Sequence, residues 1–178
     1  DNGIVQNANL FTDQEPIYLD SNMDDVMDGT ENLAFTDGIT VSAWKLLTLE
    51  STLSSIVPKG KLTLKGGEGV MILENMATID AGKPMVINAD HVIPGDGTVT
   101  IFAGKHVQTN NADLVITAWD FDLQGTISAG NGTMSVHGSK TMQTLGLGTV
   151  PNTQMHITDD ELGKFTSTGG LFVGSTVS

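Results

Sequence analysis

The sequence predicts an all-β fold, a parallel β-helix (β-solenoid), preceded by a loop-rich acidic segment. Three observations predict it. Charged residues make up only 16% of the 178 residues, against 21 glycines, a balance that suits short strands and tight turns better than helices. Alternating apolar runs of four to six residues recur between glycine, proline or asparagine, which is the strand signal. The chain also repeats itself. "TVSAWKLL…GKLTLKGG", "VINADHVI…GTVTIFAG" and "VITAWDFD…GTMSVHGS" share one plan, and repeats of this size stack as supersecondary units that cannot bury an apolar face alone.

Taken in order, residues 1–36 hold eight acidic residues and no lysine. Their periodicity is poor, and they read as a lead-in with one strand near Ile17–Leu19, serving as a cap or a strand donated to a neighbour. The solenoid is expected from residue 37 to residue 178. Its strands are "ITVSAW" (39–44), "KLTLKG" (61–66), "VMIL" (70–73), "PMVINAD" (84–90), "TVTIFAG" (98–104), "LVITAW" (114–119), "GTIS" (125–128), "TMSVHG" (133–138) and "GLFVGS" (170–175). The breaks "KGG", "AGK", "PGDG", "AGNG" and "TGG" carry turn chemistry. "TDDE" (158–161) has capping-box spacing and starts a helical turn before Gly163.

Strands that bond one coil above and below, about 4.8 Å away, stack their inward residues into columns. The repeat alignment predicts three: Val41, Ile87 and Ile116; Leu62, Val99 and Met134; Leu64, Ile101 and Val136. Roughly 20 residues per coil give about seven or eight coils and a rod on the order of 35–40 Å long. Both tryptophans, Trp44 and Trp119, fall at equivalent corners, where they are expected to cover an edge of the core; Asp90 holds that place in the third copy.

Residues 112–175 resemble the repeats of filamentous-haemagglutinin-like adhesins, large repetitive surface proteins. The likeness rests on the strand and corner "VITAWDFDL", the element "TLGLG" (Thr144–Gly148), the turn "ITDDEL" (Ile157–Leu162) and the run "TSTGGLFVG", with its core at Thr168–Gly174. It implies a right-handed β-helix and a secreted, fibrous or adhesive role, and it transfers no catalytic residue.

Composition excludes several functions. The net charge of −13, with lysine as the sole cation at eight scattered positions, opposes nucleic-acid binding and docking on anionic membrane. Cysteine is absent, which removes disulfides, thiolate catalysis and Cys-ligated zinc. No apolar run is long enough to span a bilayer. The chain opens at Asp1 without a methionine or signal-like segment, as expected of a mature or excised piece, and "LFVGSTVS" reads as an interrupted coil.

Candidate chemistry is sparse. In "DSNMDDVMDGTE" (20–31), Asp20, Asn22, Asp24, Asp28 and Glu31 fall at oxygen-ligand positions of a calcium loop. Asp25 stands where the turn wants glycine, and the flanks are not helical, so the segment reads as a solvated acidic loop with calcium as its only candidate ion. His91, His106, His137 and His156 show no zinc spacing and are expected at the surface. Asp120 and Asp122 share one face of a strand and form a carboxylate pair, read as solvated corner residues rather than a glycosidase dyad. Only Thr98 and Thr100 offer the paired threonines an ice-binding array needs. Asn131 begins an "NGT" sequon on a turn.

The expected function is therefore a non-enzymatic structural or adhesive module of an extracellular or cell-surface protein. It would act by end-to-end stacking, with neighbouring repeats or copies of itself as partners and surface glycans as a further partner. No catalytic, cofactor-binding or metal-ligating residue is assigned. The rival readings are a polysaccharide-active enzyme and a carbohydrate- or calcium-binding β-helix.

Overall fold

Each short strand finds its hydrogen-bonding partner one coil away, because its neighbour in sequence lies on another face. The computed structural model describes residues 4–20, 32–51, 54–150 and 152–174. The first coil runs through β1 (Ile4–Gln6), β2 (Leu10–Phe11) and β3 (Ile17–Asp20). The second uses β4 (Leu33–Phe35), β5 (Ile39–Ala43) and β6 (Leu46–Glu50); the third β7 (Ile56–Pro58), β8 (Leu62–Gly66) and β9 (Gly69–Ile72). Next come β10 (Met76–Ala77), β11 (Met85–Asn88) and β12 (Thr98–Ile101), then β13 (His106–Gln108), β14 (Leu114–Ala118) and β15 (Asp120–Leu123). The sixth coil holds β16 (Thr126–Gly130) and β17 (Met134–Gly138), followed by an excursion through β18 (Leu145–Leu147), β19 (Met155–Ile157) and helix α1 (Asp159–Leu162). A seventh opens with β20 (Phe165–Ser167) and β21 (Leu171–Val173).

All pairings are parallel. Sheet A orders β1-β4-β7-β10-β13-β16-β20, sheet B orders β2-β5-β8-β11-β14-β17-β21, and sheet C orders β3-β6-β9-β12-β15. Over the described residues the protein is thus a parallel β-solenoid of seven coils. Six steps of about 4.8 Å spread sheet A over roughly 29 Å. That is shorter than expected because the coils are longer: register partners on sheet A lie 20 residues apart at Ile56 and Met76 but 38 apart at Ile127 and Phe165.

The segment expected as a lead-in supplies the first coil and the start of the second. Its strands hold two to four residues, too few for alternation to show. Ile17–Leu19 lies within β3, as expected. The acidic loop beyond it, including Asn22, Asp24, Asp25, Asp28 and Glu31, lies outside the described residues.

Alternation buries every second side chain in one continuous core. Val41, Ile87 and Ile116 do share a column, together with Leu10, Leu64 and Val136. The other two predicted columns need correcting. Leu62 and Met134 stack with Ile39, Met85 and Leu114 on sheet B, whereas Val99 and Ile101 belong to sheet C, with Val70 and Phe121, and with Ile72 and Leu123. Residue period decides which side chain points inward, but it carries no label for the face of the coil.

Small residues line the corner between sheets B and C. Ala43 pairs with Gly66, and Ala118 with Gly138. A Cβ on Gly66 would lie 1.8 Å from the Gly69 carbonyl oxygen, so the tight corner requires glycine there.

Candidate functional site

Three places carry unusual chemistry: the C-terminal end of the rod, a polar cleft between coils, and the corner at Trp44.

At the C-terminal end, β15 is the last strand of sheet C, and side-chain hydrogen bonds take the place of a sixth. Glu161 Oε1 accepts the Leu123 N–H at 3.2 Å, Lys164 Nζ donates to the Leu123 carbonyl at 2.6 Å, and Asp120 Oδ1 accepts the His156 N–H at 3.1 Å. Helix α1 exists to deliver two of them. Thr158 is its N-cap and Glu161 closes the capping box, as the sequence predicts. Lys164 also pairs with Asp160. Met155 and Ile157 of β19 are buried against the core beside this edge. A bare sheet edge templates pairing with another chain; here it is occupied. Asp120 and Asp122 are accounted for by the same geometry: Asp120 holds β19, and Asp122 accepts from Gln124 at 3.3 Å.

Sheets A and B end differently. Among the described residues no strand lies beyond β20 or β21. Leu171 continues the column of Met134 yet is 38% exposed, while Met134 is fully buried. Phe172 beside it is 59% exposed. At the other end Val5 and Phe11 are also exposed.

The polar cleft measures about 320 Å³ and is lined by Thr78, Gln108, Thr109, Asn110, Asn111, Ser128 and Gly130. Most of its polar groups are engaged internally. Asn110 donates to the Ile79 carbonyl, Asn111 donates to Asn110 and accepts from the Asn131 N–H, and Thr109 donates to the Ala112 carbonyl. The bonds from Asn110 to Ile79 and from the Asn131 N–H to Asn111 run from coil to coil and tie three successive turns together, so the cleft is a structural ladder. Asn131 itself sits exposed in the turn after β16, where the sequon was expected.

At the corner after sheet B, the chain uses two residues between β5 and β6, two between β8 and β9, and one between β14 and β15. Between β11 and β12 it uses nine, 89–97. The ends of this loop meet: a Cβ on Gly97 would lie 1.9 Å from the Ala89 carbonyl oxygen. Asp90, buried, accepts the Gly95 N–H at 2.6 Å and the Ser139 hydroxyl at 2.5 Å. The His91 N–H donates to the Gly66 carbonyl, and its Nε2 lies 3.1 Å from the Ala43 carbonyl oxygen and 3.3 Å from Ser42 Oγ. Loop and corner enclose a cleft of about 80 Å³ lined by Trp44, Gly67, Glu68, Val92, Ile93 and Asp96. Trp44 was expected to cover the core; instead it is 39% exposed, and Trp119, at the equivalent corner, is half-buried. Sequence reasoning took "PGDG" as a plain turn and missed this cleft. The signal that could have found it is Ile93, a large apolar residue in a turn, 71% exposed.

The histidines are dispersed. His106 is exposed and contacts Thr126 at 2.6 Å, while half-buried His137 and His156 contact the Gly174 and Gly148 carbonyls. Among the described residues no three of His, Asp or Glu gather as a metal site, and no helix is long and apolar enough to cross a membrane. Thr98 and Thr100 face Gly69, Met71, Asp120 and Asp122 on the adjoining strands, so no threonine array forms around them. Shifted acidities are local and structural. A hydrogen bond from Lys83, backed by the Lys61 N–H, holds the Asp37 carboxyl below its usual range, and the same pairing raises Lys83. The Thr133 N–H and then its hydroxyl lower Asp113.

No family model, curated protein or solved structure matches the chain. The class of protein its fold defines, a parallel β-solenoid with one sheet edge occupied and, among the described residues, two without a further strand, stands on geometry.

Proposed function

We propose that the protein is a non-enzymatic structural or adhesive module of an extracellular or cell-surface assembly, acting by end-to-end stacking. The observation that carries this is the exposure of Leu171, an inward-column residue, at a coil end where no strand among the described residues pairs beyond β20 or β21. Such an edge accepts another strand in the same register. The first coil offers the complementary edge through β1 and β2, with Phe11 exposed beside Leu10. The guarded edge of sheet C sets the docking geometry, since only two of three faces can extend. The partner on this reading is a second copy or a neighbouring repeat, in keeping with the resemblance of residues 112–175 to adhesin repeats.

Sedimentation and electron microscopy across a concentration series test it. Stacking predicts concentration-dependent threads or short rods, and Leu171→Asp is expected to return them to monomers without lowering the melting temperature of the monomer. A parent protein that stays monomeric at every concentration, or a Leu171→Asp protein that assembles equally well, would overturn the reading.

A further inference from the structure

The corner cleft at Trp44 points to a second role, independent of the stacking reading. Nine residues stand where three other coils use one or two and the first coil uses five, and insertions in solenoids gather on binding faces. The insertion is pinned at both ends and in the middle by Asp90, His91 and Gly97, so it is a built loop and not slack chain. Its effect is to set Val92 and Ile93 opposite Trp44. Gly67 lets the Trp44 backbone and Val92 pack directly against it, for a Cβ there would lie 1.7 Å from the Trp44 carbonyl oxygen and 2.9 Å from Val92 Cγ2.

Nothing in the fold calls for the groups around the opening. Among the described residues, neither the Trp44 indole N–H nor the Glu68 and Asp96 carboxylates have a hydrogen-bond or ion-pair partner. An indole, two aliphatic side chains and two uncommitted carboxylates match one ligand chemistry: a cation on an apolar stem. The stem lies along Val92 and Ile93, the charge is drawn to the aromatic ring, and the carboxylates neutralise it. The net charge of −13 steers cations toward the surface. A cleft of about 80 Å³ takes one side chain, not an oligosaccharide.

We infer that the corner cleft of Trp44, Val92, Ile93, Glu68 and Asp96 binds a lysine or arginine side chain of a basic partner peptide.

Trp44 is also the reporter. In a Trp119→Phe background it is the only indole. The amidated tripeptides Gly-Lys-Gly and Gly-Arg-Gly are expected to change its fluorescence saturably, and more weakly as salt rises to about 0.5 M. Glu68→Gln with Asp96→Asn should weaken the affinity about fivefold or more. Both carboxylates are exposed, so the fold should survive; if the double variant melts early, the two single variants carry the comparison. No saturable change, an equal response to Gly-norleucine-Gly, or unchanged affinity in the carboxamide variants would each overturn the inference.

Discussion

Tyr18 is the chain's only tyrosine, and its hydroxyl donates to Glu50 Oε2 on the neighbouring strand. That hydrogen bond, then partial burial, then the charges of Glu50 and Asp20, push the phenol up to about 12. The folded state thus favours the protonated phenol. Its contribution is complete below the unfolded value of about 10 and is lost as pH rises through about 12. Phenolate absorbance should show a midpoint near 12 in the parent, and Glu50→Gln should move it back toward about 10. A parent midpoint near the ordinary tyrosine value would contradict the contact. At this scale the sequence was legible in part. Trp44 and Trp119 could be placed at equivalent corners because each follows an inward alanine. The exposure of Trp44 could not be read, because it depends on Gly67 one coil on and on a loop two coils on.

Among elements, the nine runs with clear alternation all became strands. Several of those missed are short, since β10 has one inward residue, Met76, and β13 has one, Val107, whereas β6, five residues long, was missed because its burial does not alternate. A period cannot be seen in a single point. Helix α1 was legible from its capping box, since that signal is local. The reach of Glu161 and Lys164 to Leu123 was not, because it joins positions 38 and 41 residues apart. Glu161→Ala removes both the box and the edge contact. It should cost about 1–3 kcal/mol in urea unfolding and speed exchange of the Leu123 amide. Unchanged exchange at Leu123 would show that the edge is held by something else.

Across the whole molecule, each coil packs only on the coils above and below, so the cost of a cavity depends on its position along the rod. Ile87 sits fully buried between Leu64 and Ile116, whereas half-buried Leu10 has a column neighbour, Val41, on one side. Ile87→Ala should cost about 2–5 kcal/mol, and Leu10→Ala less, because its side chain is half-buried and packs on one neighbour in its column. Equal losses in denaturant titrations would mean that the rod does not behave as a stack of near-neighbour layers. Fold class was legible at this scale because alternation and glycine spacing are written many times over. The assignment of each strand to a face was not, since all three faces obey the same alternation.

The nine-residue loop between β11 and β12 adds chain without disturbing phase. Asn88 still sits opposite Lys65 before it, and Thr98 opposite Gly69 after it. Every turn resets its own alignment through its buried side chains, so length errors do not accumulate along the axis. Corners are therefore natural ports for grafting: a foreign peptide inserted there would change what the rod displays and leave its scaffold in step.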